Sequence, residues 1–93
     1  NYRVRVSVSA DELDVGGLVV DFAVLKQAML AITDRFDHAC LNDVAPFDQL
    51  NPTLEHLARH IAEEVALLVD DGRARVTECR VWETARSCAV YRR

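Results

Sequence analysis

Ninety-three residues, 51% hydrophobic and 28% charged, form an ordinary globular composition sized for one domain with a single modest core. A formal net charge of −4 and a pI near 5.2 supply no basic excess for a nucleic-acid partner. No apolar run approaches the ~20 residues of a transmembrane helix, and three cysteines at no metal-like spacing fit reduced thiols in a cytoplasm.

The opening Asn1-Tyr2-Arg3-Val4 has neither an initiating Met nor the apolar core of a signal peptide, so it reads as the start of a trimmed chain. Tyr2, Val4, Val6 and Val8 alternate with Arg3, Arg5 and Ser7. That period predicts a half-buried strand over residues 1–8, beginning with no turn signal, as though a hairpin partner stood before it. Asp11, Glu12 and Asp14 then form a polar loop, and Gly16-Gly17 supply the freedom for a turn.

Asp21 is the expected N-cap of a first helix over about residues 21–36, whose core stripe is Phe22, Leu25, Met29, Ile32 and Phe36. Val24 and Leu30 fall off that stripe, either as ordinary surface side chains or as contacts for a neighbouring subunit. A loop over 37–51 carries Pro46-Phe47. Asn51 and Pro52 are expected to cap and open a second helix running to about Val69. Its core face reads Leu54, Leu57, Ala58, Ile61, Val65 and Leu68, with His56, His60 and Glu63 opposite. Asp70-Asp71-Gly72 stop the helix. Two strands follow at about 73–83 and 87–92, joined by a short turn through Glu83-Thr84-Ala85-Arg86-Ser87. The expected class is α+β, in the order β-α-α-β-β, with two helices on one face of an antiparallel sheet. Edge strands at 1–8 and 87–92 would lie open on a monomer, which predicts a closed homo-oligomer.

The densest chemistry is Asp37-His38-Ala39-Cys40-Leu41-Asn42, with a carboxylate, an imidazole and a thiol within four residues. An adjacent Asp can orient a His or raise its pKa for acid–base work, whereas composition alone favours solvated loop residues. Cys40 stands two residues from His38, a spacing that does not make a Cys–His nucleophile pair. His56 and His60 have the spacing of a two-His metal half-site. They lack its neighbouring Glu, since Leu57 follows His56, and read as solvated surface residues. Cys79 and Cys88 read as small buried hydrophobes. Glu83 taken alone is a turn residue; a carboxylate there can also grip a planar ring through paired N–H donors.

Taken together these stretches resemble the 6-pyruvoyl-tetrahydropterin synthase / 6-carboxy-tetrahydropterin synthase family. The matching pieces are Asn1-Tyr2-Arg3-Val4-Arg5-Val6, Gly17-Leu18-Val19-Val20-Asp21-Phe22 with Leu25-Lys26, and Phe36-Asp37-His38-Ala39-Cys40-Leu41-Asn42. Asn51-Pro52-Thr53-Leu54-Glu55 and Val81-Trp82-Glu83-Thr84-Ala85 with Ala89-Val90-Tyr91 complete the set. The resemblance implies a tunnelling fold, in which three subunits close their sheets into a barrel and two trimers stack. It implies a lyase acting on dihydroneopterin triphosphate, with zinc bound between subunits. It gives Asp37 and His38 the role of a proton relay, and Glu83 that of anchoring the pterin's amino-pyrimidine edge, with Thr53 nearby.

It also implies three zinc-binding histidines and a catalytic cysteine upstream of Asn1. The 93 residues given have none of these, so they are expected to hold no stoichiometric zinc and to form the C-terminal two-thirds of a subunit. The 6-carboxy product of deazapurine (queuosine-type) biosynthesis is the expected one, with the 6-pyruvoyl product second. The rival reading is a non-catalytic pterin-binding or structural subunit.

Overall fold

In the computed structural model, which describes residues 2–37 and 39–93, an alternating valine pattern makes β1 (Arg3–Ala10). Val4, Val6 and Val8 pack toward the core, while Arg3, Arg5, Ser7 and Ser9 take the other face. β1 pairs antiparallel with β2 (Ala74–Thr84), and β2 with β3 (Ser87–Arg92), giving the sheet order β1-β2-β3. The loop before α1 (Phe22–Thr33) turns at Gly17, whose φ of 82° favours glycine. Asp21 caps α1 as expected, its carboxylate accepting from the Ala23 amide at 2.8 Å. A 3₁₀ turn, Asp34–Phe36, continues this helix, and a second lies at Leu41–Asp43.

α2 (Leu54–Val69) is the central helix. It buries Leu57, Ala58, Ile61, Ala62, Val65, Ala66 and Val69 and packs on β2 and β3, with α1 alongside it. Ile61 and Val65 meet Val76, Cys79 and Val81 of the sheet among the largest fully buried side chains. Each such aliphatic side chain contributes roughly 1.5–3 kcal/mol by leaving water. The element order β-α-α-β-β agrees with the sequence expectation.

Several side chains sit elsewhere than expected. The N-cap of α2 is Thr53, not Asn51: its Oγ1 accepts from the His56 amide at 3.1 Å. Pro52 precedes the cap, and Thr53 itself takes the extended conformation of a capping residue. Phe22, at the first position of α1, is 83% exposed, because α1 buries only Ala28 and Ile32 against its neighbour. Leu68 is 56% exposed, since small alanines at 62 and 66 and Val69 hold the face that approaches the sheet. Cys88 is exposed as well: it pairs with Trp82 on the helix-free face, while Ala89 turns inward. Cys79 is buried as expected, and burial pushes its thiol up to about 12.

Candidate functional site

At the hairpin end of the sheet the pairing slips. Trp82 faces Cys88 and Thr84 faces Ser87, so Glu83 is the extra residue of a β-bulge. Removed from strict alternation, the exposed Glu83 lines a cleft of about 340 Å³ with Tyr2, Arg3, Trp82, Thr84 and Ala85. The Arg3 and Arg5 guanidinium carbons lie 4.9 and 5.3 Å from the centre of the Trp82 ring. The cleft therefore combines the Trp82 indole, the Arg3 guanidinium stacked on it and a carboxylate, with Arg5 on the same ring outside the lining. Such a set suits a flat, polar ring: the carboxylate accepts two adjacent N–H donors, and the aromatic and cationic surfaces stack.

Asp37 ends the 3₁₀ turn after α1, its amide donating to the Asp34 carbonyl at 3.3 Å. Its expected partner His38 lies outside the described residues. Thr53 is half-buried and its hydroxyl oxygen serves the α2 cap. Among the described residues, neither Asp37 nor Thr53 lines the Glu83 cleft. A larger cleft of about 590 Å³, between α2 and the end of β3, is lined by Glu63, Asp70, Tyr91 and Arg93 together with Ala66 and Leu67, and contains none of the sequence-derived candidates. Its polar groups already bond one another: Tyr91 donates to Glu63 at 3.1 Å and Arg93 to Asp70 at 2.8 Å.

His60 is not the solvated surface residue its helical position suggested. Its ring stands 5.7 Å from both Phe36 and Phe47, nearly edge-on to each, and its Nε2 is buried without a hydrogen-bond partner. Desolvation there holds the imidazole below its ordinary pKa, with smaller opposing influences from Glu64 and Glu63 and a reinforcing one from Arg35. His56 Nδ1 donates to the Asn51 carbonyl at 2.8 Å. Cys40 is exposed in the loop. Among the described residues no group of three His, Cys, Asp or Glu side chains is placed to hold a metal ion, so these residues do not fit a zinc centre.

Two positioning residues escaped the sequence reading. Phe47, in the long loop, is buried and packs 5.7 Å from Phe36, which ties the 37–51 segment to the core. Arg73 clamps the loop before α1: its Nη1 donates to the Glu12 carbonyl at 2.8 Å and its Nη2 to the Val19 carbonyl at 2.6 Å. Neither contact has a local sequence signal, because each joins segments that are distant in the chain.

Residues 1–93 match the family model described as 6-pyruvoyl tetrahydropterin synthase. The chain belongs to this family. Among its curated relatives, the 6-carboxy-5,6,7,8-tetrahydropterin synthase of Bacillus subtilis is 35% identical over 97 residues, covering 98% of this chain and 64% of the relative. The protein of the same name from Aquifex aeolicus is 28% identical, covering 99% of this chain and 71% of the relative. The chain thus spans less than two thirds of the Bacillus subtilis relative's length. The solved 6-pyruvoyl tetrahydropterin synthase of Caenorhabditis elegans superposes with a TM-score of 0.75 at 18% identity, covering 100% of this chain and 95% of that one. At that identity the likeness is one of fold, and the three-stranded antiparallel sheet with its two helices is the tunnelling fold of this family. Among the described residues no helix is long and apolar enough to cross a membrane.

Proposed function

We propose that this chain forms the C-terminal two-thirds of a pterin synthase subunit, a lyase converting dihydroneopterin triphosphate to 6-carboxy-tetrahydropterin. The observation that carries the reading is the 35% identity, across 98% of the chain, to a relative named for that product. The 6-pyruvoyl product is the second possibility within the family. In this reading Glu83 accepts the paired N–H donors of the amino-pyrimidine edge, Trp82 and Arg3 flank the ring, and Thr53 lies nearby. Asp37 and His38 exchange protons with the substrate side chain, a task that suits an imidazole poised near neutrality.

Asp37 and Thr53 stand on elements other than the Glu83 cleft, so the reading places the complete site between copies of the chain. The β1 and β3 edges are open in the three-stranded sheet, which supports closure with other copies, and the family resemblance makes that assembly a trimer or hexamer. Zinc belongs to the proposal only through the family resemblance, and the roles given to Glu83, Asp37 and His38 concern hydrogen bonding and proton transfer alone. The cytoplasm is the proposed location.

The test is to incubate a form extended to the full length of the relatives with dihydroneopterin triphosphate, with and without added zinc, and to follow 6-carboxy- and 6-pyruvoyl-tetrahydropterin by chromatography. Pterin binding at the Glu83 cleft is read in parallel by calorimetry. Product formation supports the lyase. Pterin binding without turnover in a form extended to the full length of the relatives assigns a non-catalytic pterin-binding subunit instead.

A further inference from the structure

The 3₁₀ turn Asp34–Phe36, which delivers Asp37, is fastened to α2 by two neighbouring side chains. Phe36 stands edge-on to His60 at 5.7 Å, and Arg35 pairs with Glu64 at 3.5 Å. The loop beyond Asp37 has backbone hydrogen bonds between near neighbours, Asp43 to Cys40, Val44 to Leu41 and Phe47 to Val44. Side chains carry its hold on the core: Leu41 packs against it, and Phe47 is 2% exposed. Phe36, Phe47 and His60 close a triangle in which each pair of ring centres is 5.7 Å apart. Rings at that distance attract when tilted or edge-on, so His60 is the point on α2 where turn and loop meet.

That point is a side chain able to change its charge. The buried His60 Nε2 has no hydrogen-bond partner. The charged groups around the ring are Glu63 and Glu64 on α2 and Arg35 on the turn, while the loop presents the Phe47 ring. Both carboxylates are already engaged: Glu64 by Arg35, and Glu63 by Arg59 at 3.0 Å and Tyr91 at 3.1 Å. A proton taken up by this ring leaves a cation whose Nε2–H meets no acceptor. Keeping such a charge out of water is costly, so proton uptake works against the packing.

We infer that His60 is the positioning residue of the Asp37 turn, a latch that holds turn and loop on α2 while its imidazole is neutral and lets both go when it takes a proton. The latch stands on the packing alone. Its consequence for turnover rests on the role proposed above for Asp37 in proton transfer, since a displacement of about 1 Å in such a group costs up to roughly a hundredfold in rate. None of the three rings lines the Glu83 cleft, so pterin binding there is left alone.

Hydrogen exchange followed by mass spectrometry reads the latch without substrate, on a form extended to the full length of the relatives. The parent is compared at each pH with His60→Phe, which keeps a ring and cannot titrate, so the pH dependence of the exchange chemistry cancels. The ratio of parent to variant exchange over residues 34–50 should rise roughly five- to a hundredfold between pH 7 and pH 5, as an unpaired buried group shifts an opening equilibrium. The segment should open ahead of β2, as local release requires. Burial holds the imidazole low, so the rise should fall below the ordinary value of about 6.5. Should His60→Phe fail to fold, Phe47→Leu keeps an apolar side chain without the ring, and its segment should already exchange faster than the parent's at pH 7.

Steady-state kinetics with dihydroneopterin triphosphate separate positioning from binding. His60→Ala should lower kcat at pH 7 roughly ten- to a hundredfold with KM within about twofold, and His60→Phe should restore it. A parent without turnover that still shows the exchange change supports the latch and overturns the synthase reading. An exchange ratio that does not move with pH, a segment that opens only together with β2, Phe47→Leu exchange equal to the parent's, or an unchanged kcat for His60→Ala beside an active parent would each overturn the inference.

Discussion

Replacing Thr53 by Ala separates two jobs that meet at one hydroxyl. The Thr53 oxygen accepts the His56 amide at 3.1 Å and is the side-chain cap of a helix that buries seven residues. Loss of such a cap costs about 1 kcal/mol, within a range of roughly 0.5–2. In a domain of this size 1 kcal/mol lowers Tm by about 4–8 °C. The helix itself should persist, because its packing on β2 and β3 is untouched. Thermal melting followed by circular dichroism gives the first readout and pterin calorimetry the second. Thr53→Asn supplies another capping oxygen and should recover most of the lost stability while presenting a different group to a ligand. A Thr53→Ala protein that melts with the parent would refute the capping argument. If Thr53→Asn restored both Tm and pterin affinity in full, the side chain would serve the helix and not the substrate.

The other predictions concern the candidate site and its support. Glu83→Ala should weaken pterin binding by about 1–3 kcal/mol, the cost of leaving ring donors unpaired, and unchanged affinity in calorimetry would remove Glu83 from the site. His38→Ala should leave binding near the parent value and slow turnover by roughly 100- to 10,000-fold in steady-state kinetics, the usual loss for a general acid/base. His60, held below its ordinary pKa by burial, makes the fold sensitive to mild acid. Above the unfolded value of about 6.5 both states are neutral there; as pH falls below it the unfolded chain takes the proton first, so stability declines until the folded imidazole also titrates. Urea melts between pH 7 and 5 should show that decline in the parent and not in His60→Phe. Light scattering coupled to gel filtration should find a closed oligomer, and a stable monomer at micromolar concentration would contradict edge closure.

Much of the fold was legible because it follows from period. The β1 valines alternate, Asp21 and Asp70-Asp71-Gly72 punctuate the helices, and the strand-turn-strand at the C-terminus falls within a residue or so of its expected bounds. Errors arose where packing, not pattern, decides. Leu68 follows the apolar spacing of α2, yet Ala62 and Ala66 occupy the sheet-facing stripe, and methyl groups carry little weight in a hydrophobic pattern although they let a helix approach closely. Phe22 lies at the very start of α1, where no neighbour covers it.

At the candidate site, the roles expected of Asp37, His38 and Glu83 came from the family resemblance and not from residue type, and nothing in the sequence signalled the bulge that lifts Glu83 out of alternation. A bulge is a property of two strands in register, and a single strand's sequence does not contain it. The same holds for the box around His60, assembled from the turn after α1, the long loop and α2.

Local costs in this molecule are distributed unevenly. Where α2 meets the sheet, the buried contacts are apolar, and no polar or charged residue is fully buried among those described. The departures from local preference lie elsewhere. Arg5 faces Arg80 on the helix-free side of the sheet, and Glu83 leaves the ladder at its hairpin end. His60 holds an unpartnered nitrogen beside the segment that begins at Asp37. Like-charge pairing, a bulge and an orphaned polar atom each work against the fold, and stable proteins keep such features chiefly where geometry or charge is put to use. The Arg5–Arg80 pair and the Glu83 bulge meet around Trp82, the ring that joins the charged sheet face to the Glu83 cleft. Two of these three departures thus lie together around Trp82, which borders the Glu83 cleft.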